Sequence, residues 1–387
     1  MIMKKGIWED FDGYDGINEQ IQASRITASK RAFELDFADQ YIRRLHPDRL
    51  ELKVADIIQE TPSTKTLRLV STGNDLPPFQ AGQYLSLFIE VEGIRTSRPY
   101  SISSQPNQIG YYDITVKQVV NGLVSNFLLK HVRIGDSLTV SGPQGNFYFN
   151  PLVHDDNMIC IAGGSGITPF MSMIREIVDR GLPRTVTLFY GNRHADDIIF
   201  HEQLTHLSDH YERIRYVPVI EKASEDYQGQ CGLITADLIK KAAADSEKAT
   251  FFLCGPQGMY DFCLPQIEQL GIPRRKIRKE LYGPPLDICK DPGWPKEIER
   301  DRLFSVSVKN NRTISAPAGT PLLVSLEKGG VVPPSICRSG ECSMCRIKIL
   351  SGRVFQPAGT PVRKSDHRYG YVHSCVSFPL EDLEILL

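Results

Sequence analysis

The sequence predicts a multidomain α+β protein: an antiparallel β-barrel, then a parallel α/β sheet, then a small closing domain of short strands. Three observations carry this. A length of 387 residues exceeds the roughly 100 to 200 that one core usually serves. The texture changes at Met158, from short runs broken by Gly and Pro to strand, turn and helix units. A stretch rich in Pro and charge, Pro284 to Arg302, then precedes the last strands.

Taken in order, residues 1–50 are polar, with Ala32, Phe33, Leu35, Phe37, Ala38, Tyr41 and Ile42 spaced as on a helix face, and predict a helical extension. Residues 51–150 carry runs such as Thr66 to Val70 and Tyr84 to Ile89 and predict the barrel. Residues 151–285 predict the α/β domain: strands at Met158 to Ala162, Val186 to Tyr190 and Phe251 to Cys254, and a helix bearing Pro169, Met171, Ile174, Ile177 and Val178. Residues 286–302 read as a linker and 303–387 as the closing domain.

Composition excludes some classes. With 41% hydrophobic and 24% charged residues the chain is of ordinary globular type. A formal charge of −1 gives no field for nucleic acid. The run Arg274 to Lys279 reads either as a solvated loop or as a patch for an acidic partner. No signal peptide and no membrane span is expected, so a cytoplasmic protein is. Nine cysteines are too few and too uneven for a disulfide scaffold.

Four of those cysteines are Cys337, Cys342, Cys345 and Cys375. The first three are spaced CxxxxCxxC and the fourth follows after 29 intervening residues, the plant-type [2Fe-2S] ferredoxin arrangement. Ser339, Gly340 and Ser343 are small enough to let backbone amides turn toward the sulfurs. A zinc site is the competing reading, but such sites usually pair two CxxC hooks, and here the fourth cysteine stands alone.

Arg98-Pro99-Tyr100-Ser101 lies in a strand-like segment of the barrel. It offers an arginine for a flavin phosphate, an aromatic ring for the isoalloxazine and a hydroxyl for N5. Gly122-Leu123-Val124-Ser125 opens a helix whose free amides suit a pyrophosphate. Phe147 or Tyr148 either stacks on an adenine or packs in the core; the first, with the Gly122 to Ser125 helix start, favours FAD over FMN.

Ala162 to Pro169 follows an apolar strand and opens a helix; Gly163, Gly164 and Gly166 let a dinucleotide phosphate approach the backbone, and Thr168 begins the helix. Cys254-Gly255-Pro256 ends a second strand the same way. Cys254 suits the approach of a nicotinamide ring, or is an ordinary buried thiol. Arg193 either meets a 2′-phosphate or is a surface arginine, so NADH and NADPH both stand.

Jointly these residues resemble the ferredoxin-NADP reductase superfamily, specifically oxidoreductases with a C-terminal plant-type ferredoxin domain, such as oxygenase reductases and the hybrid-cluster-protein reductase. The likeness covers roughly residues 52 to 387. It implies a flavin-binding barrel, an NAD(P) α/β domain and a β-grasp ferredoxin domain. Lys279 to Gly283 is similar to the family's acidic–x–aromatic element, which implies that Glu280 and Tyr282 lie near the flavin. The resemblance also implies the chemistry. NAD(P)H gives hydride to flavin N5, with Ser101, Thr168, Cys254 and Glu280 catalytic, and electrons then pass singly to the cluster and on to a protein acceptor, an oxygenase, hydroxylase or other metalloenzyme. Reverse flow to NAD(P)+ and a redox-sensing subunit are the alternatives.

Overall fold

The computed structural model describes residues 14–27, 37–73, 76–224, 226–243, 245–285, 287–358 and 360–387. Residues 46–387 form one compact unit and residues 1–45 another. In the smaller unit, α1 (Tyr14–Thr27) and α2 (Phe37–Leu45) are helical. Asp39 in the first turn of α2 and Arg43 and Arg44 in its last suit the helix dipole. Of the apolar positions expected on a helix, Phe37, Ala38, Tyr41 and Ile42 fall in α2, while Ala32, Phe33 and Leu35 lie outside the described residues.

The larger unit begins with β1 (Leu50–Thr61), β2 (Thr64–Ser71), β3 (Tyr84–Val91), β4 (Ile94–Ser101) and β5 (Tyr112–Lys117), then α3 (Leu123–Lys130) and β6 (Ser137–Val140). Every pairing is antiparallel, in the order β4-β3-β6-β1-β2-β5. A bridge from Ile102 to Ile114 joins the two outer strands and closes the barrel. Leu67, Leu69, Leu85, Leu87 and Ile114 fill it, and Val124 and Leu128 of α3 join the same core.

Next come β7 (Asn157–Gly163), α4 (Thr168–Asp179), β8 (Thr185–Asn192), α5 (His201–His210), β9 (Ile214–Ile220), β10 (Gln230–Cys231), α6 (Ala236–Ala242), β11 (Thr250–Cys254), α7 (Gln257–Gln269) and β12 (Ile277–Glu280). The sheet is parallel throughout, in the order β10-β9-β8-β7-β11-β12. Helices cover both faces, which is why β7 and β11 read as unbroken apolar runs. Met158, Cys160 and Ala162 pack on the α4 side, Ile159 and Ile161 on the α6 and α7 side. Chain direction across the sheet reverses between β7 and β11, the crevice where such sheets take their ligands.

The last sheet is mixed. It comprises β13 (Leu303–Val308), β14 (Thr313–Pro317), β15 (Arg346–Ser351), β17 (Tyr371–His373) and β19 (Leu383–Leu386), in the order β14-β13-β19-β15-β17. Helix α8 (Leu322–Lys328) packs across it through Leu322 and Leu326 in the β-grasp manner. A short pair, β16 (Val354–Phe355) with β18 (Phe378–Pro379), and helix α9 (Lys364–Arg368) complete it. The stretch before β13 is not free chain. Ile288, Trp294 and Ile298 are buried against Phe304, Ala318 and Phe378.

Candidate active site

The carboxyl edge of the parallel sheet gathers the residues with nucleotide chemistry. Cys254 ends β11, with Ala162 opposite it on β7 and Glu280 opposite it on β12. The two glycine turns press together: a Cβ on Gly166 would stand 1.9 Å from the Cys254 carbonyl oxygen, so only glycine lets them close. Two cavities of about 900 and 320 Å³ open here, sharing Gly163, Gly164, Pro256 and Lys117 in their walls. The larger also takes in Arg193 and Glu221, which face each other at 4.0 Å. An elongated crevice floored by glycine backbone suits a dinucleotide.

Ser101, Thr168 and Cys254 come from three elements and meet at one hydroxyl. The Tyr282 hydroxyl lies 2.9 Å from Ser101 Oγ and 3.4 Å from Thr168 Oγ1, and bonds to the Cys254 thiol. Burial, and secondarily Glu280, pushes the Cys254 thiol well above its ordinary value, so it stays protonated. Burial also raises the Glu280 carboxyl, and the nearby Glu341 and Cys337 add to the effect. Tyr282 itself is 37% exposed, a ring at the surface with its hydroxyl turned inward.

Arg98 lies further along β4, half-buried, and among the described residues donates to Thr96 Oγ1 at 2.6 Å and the Ser97 carbonyl at 2.7 Å. Burial, then Arg338, holds it down at about 10. A half-buried guanidinium that bonds no carboxylate among the described residues suits an anion, and a flavin phosphate fits that need. Tyr100 packs on the barrel core and Pro99 lies opposite Ser86. Gly122 caps α3; Ser125 accepts the Val119 N–H and Val124 turns into the core, so backbone amides are what this helix start offers a ligand. Of the two readings open for Phe147, the core holds: it lies edge-on to Phe170 and Phe252 at 5.7 and 5.6 Å. Tyr148 beside it is half-buried.

Cys337, Cys342, Cys345 and Cys375 converge. Cys337 bonds to Cys342 and Cys375, and Cys345 to Cys375. Accepting these bonds lowers the Cys337 and Cys345 thiols and raises their partners. The loop turns through left-handed Arg338, Gly340 and Ser343, which aims the Ser339 and Cys342 amides at Cys337 Sγ, each at 3.4 Å. Inward amides around grouped thiols are what a thiolate-held cluster requires. Among the described residues no group of His, Cys, Asp or Glu surrounds a single-ion centre. Sulfurs shared between two irons need none.

Sequence reasoning passed over the seam that joins cluster loop and barrel. Tyr84 of β3 packs on Ile336 and Cys337. Ser86 Oγ donates to the Ile336 carbonyl at 2.9 Å, and Ser97 Oγ to that of Ser335 at 3.0 Å. Behind them Arg338 grips Glu327 with bonds of 2.6 and 2.9 Å, and Thr96 Oγ1 donates to the same carboxylate at 3.0 Å. Arg338 and Glu327 are 6% and 3% exposed. The sequence signal was faint: an arginine between two cysteines, and an acid in the apolar run Leu322 to Lys328. Lys117 was also missed; it pairs with Asp197 at 2.7 Å where the two cavities meet.

Three family models match in the same order: an oxidoreductase FAD-binding domain over residues 51–149, an oxidoreductase NAD-binding domain over 160–264 and a 2Fe-2S iron-sulfur cluster binding domain over 306–380. The chain is 27% identical to the glycine betaine monooxygenase reductase subunit of Chromohalobacter salexigens, over 87% of this chain and 95% of that one. It is 29% identical to the NADH oxidoreductase HCR of Escherichia coli, over 86% and 96%. Phthalate dioxygenase reductase, a modular structure for electron transfer from pyridine nucleotides to [2Fe-2S], superposes with a TM-score of 0.64 at 25% identity, covering 88% of this chain and 97% of its own. With its FAD-binding barrel, NAD-binding sheet and β-grasp cluster domain in this order, the chain belongs to the ferredoxin-NADP reductase superfamily, among the oxidoreductases that end in a plant-type [2Fe-2S] ferredoxin domain.

Proposed function

We propose that this reductase takes electrons from NAD(P)H and delivers them, one at a time from its cluster, to a protein acceptor of the oxygenase or metalloenzyme class. The observation that carries this is the meeting of Ser101, Thr168 and Cys254 at the Tyr282 hydroxyl, with Tyr84, the β3 partner of Ser101, packed on the cluster ligand Cys337. FAD held by the barrel would supply the conversion of a hydride into single electrons, and a cluster held by Cys337, Cys342, Cys345 and Cys375 would accept them one at a time.

The chain's own groups supply placement. Gly163, Gly164, Gly166, Gly255 and Pro256 admit the nucleotide, Thr168 and the protonated Cys254 thiol flank its nicotinamide end, and Arg193 is at its adenosine end. The Ser101 hydroxyl serves flavin N5, and Tyr282 covers that face until the nicotinamide takes its place. Arg98, Pro99, Tyr100, Gly122, Val124 and Ser125 hold the rest of the flavin. Glu280, kept neutral by burial, adds no charge beside the reacting ring. Cys337, Cys342, Cys345 and Cys375 hold the cluster. On this reading the chain divides at 1–50, 51–150, 151–285, 286–302 and 303–387, in a cytoplasmic protein.

Relatives named as reductase subunits support forward flow over the reverse direction or a sensing role. Steady-state assays with NADH and NADPH against ferricyanide and cytochrome c test the proposal. Sustained turnover of both acceptors is expected. Reduction of bound flavin with no turnover of either would favour a sensor.

A further inference from the structure

Charge is divided unevenly along this chain. Residues 303–387 hold 10 Lys and Arg against 6 Asp and Glu, a net +4, while residues 1–302 hold 35 against 40, a net −5. Within the closing domain the excess is local: residues 346–368 hold 6 Lys and Arg and a single acid, Asp366.

That stretch lies against the cluster loop. Asp366 of α9, 4% exposed, accepts from Arg346 at 2.9 Å, and Arg346 directly follows the ligand Cys345. A side chain on Gly340, inside the loop, would meet Thr360 at 3.6 Å, so the chain leading into α9 runs beside the loop. The loop's inner part, Cys337 to Gly340, is buried toward the barrel. Its outer edge carries Glu341 and Met344, both exposed, Met344 at 46%.

In and beside α9, whose Asp366 holds Arg346 next to Cys345, exposed Arg363, Lys364 and Arg368 make no ion pair among the described residues. Arg346 and Lys348 lie against the Tyr371 ring. Tyr369 is 61% exposed. Exposed Met and Tyr beside unpaired cations contribute little to the fold, and their placement next to the ligand loop asks for a partner.

We propose that this face is where the electron acceptor docks, and that the acceptor is a protein whose own docking face is acidic. The inference rests on the reading that electrons leave from the cluster, and adds where and to what kind of surface. Opposite charges steer the encounter, Met344 and Tyr369 supply the apolar contact at its centre, and the cluster's open edge then lies against the partner.

The test uses the full-length holoprotein and two haem proteins of opposite charge, acidic cytochrome b5 and basic cytochrome c, with NADH as donor, at low and high ionic strength. For the native chain, kcat/KM toward cytochrome b5 should fall steeply as salt rises. The triple variant Arg363→Glu/Lys364→Glu/Arg368→Glu should lower the low-salt value about tenfold or more, the scale of electrostatic steering, and raise that for cytochrome c. The neutralised variant Arg363→Gln/Lys364→Gln/Arg368→Gln should fall between. Ferricyanide reduction and the cluster's visible spectrum should stay unchanged in both. A cytochrome b5 rate indifferent to salt, or equal in native and charge-reversed chains, overturns the proposal. Failure of the underlying reading looks different: neither haem protein is reduced by the native chain although ferricyanide is, and then the docking inference falls with it.

Discussion

Replacing Glu327 by alanine strikes the seam between cluster loop and barrel at its most expensive point. The carboxylate holds Arg338 through bonds of 2.6 and 2.9 Å and accepts Thr96 from the barrel at 3.0 Å, while Arg98 lies close by without a carboxylate. Removing one partner of a buried pair costs about 3–5 kcal/mol, because the other charge is left stranded. Loss of the Thr96 bond to a charged acceptor contributes about 1.5–3 kcal/mol of that strain on the seam itself. Since about 1.4 kcal/mol is a tenfold change in an equilibrium, even the smaller share should let the cluster loop leave its docked position often enough to slow transfer. The assay is the ratio of cytochrome c to ferricyanide reduction, the first drawing on the cluster and the second on the flavin, alongside thermal unfolding. Glu327→Ala should lower the ratio about tenfold, with ferricyanide turnover preserved. The double variant Glu327→Met/Arg338→Met, which strands no charge, should recover most of the stability. An unchanged ratio, with a stability loss under about 1 kcal/mol, would refute the role given to this pair.

Three further outcomes are expected. Cys375→Ser should remove the cluster's visible absorbance and its reduced-state EPR signal while leaving ferricyanide turnover with NADH; retention of the signal would mean another ligand. Gly166→Ala forces a methyl into the Cys254 carbonyl, where the contact would be 1.9 Å, and overpacking of this kind costs about 1–3 kcal/mol; titration with NADH should show binding weakened at least tenfold, and native affinity would contradict the packed-turn account. The Glu280 carboxyl is raised above its ordinary 4.5, so its neutral form stabilises the fold; that contribution is whole below 4.5 and is lost as pH rises through the folded value. Glu280→Gln should therefore raise the melting temperature relative to the native chain at pH 8 and leave it level at pH 4, and an equal difference at both pH values would sink the assignment.

What the sequence disclosed depended on how locally each feature is written. Three cluster cysteines lie within nine residues, and their spacing has few other meanings, so the cluster domain was plain. The change from alternating runs to buried strands such as Phe251 to Cys254 likewise reported one-sided against two-sided burial. The seam was invisible because Thr96 and Glu327 are separated by 231 positions, and neither is unusual in its own segment. Phe147 stayed open for a related reason: an aromatic after a glycine turn suits an adenine or a core equally, and Phe170 and Phe252 decide it. The stretch from Pro284 to Arg302 looked like a tether by composition, yet Trp294 is 6% exposed, because a few apolar residues among many charges suffice to pin a segment down.

Anaerobic stopped-flow mixing of the holoprotein with NADH, followed by optical absorbance and freeze-quenched EPR, reads the order in which flavin and cluster are reduced. Flavin bleaching should come first, and the signal of the reduced cluster should grow from it within the same turnover. Flavin that bleaches fully while the cluster stays oxidised would contradict the account.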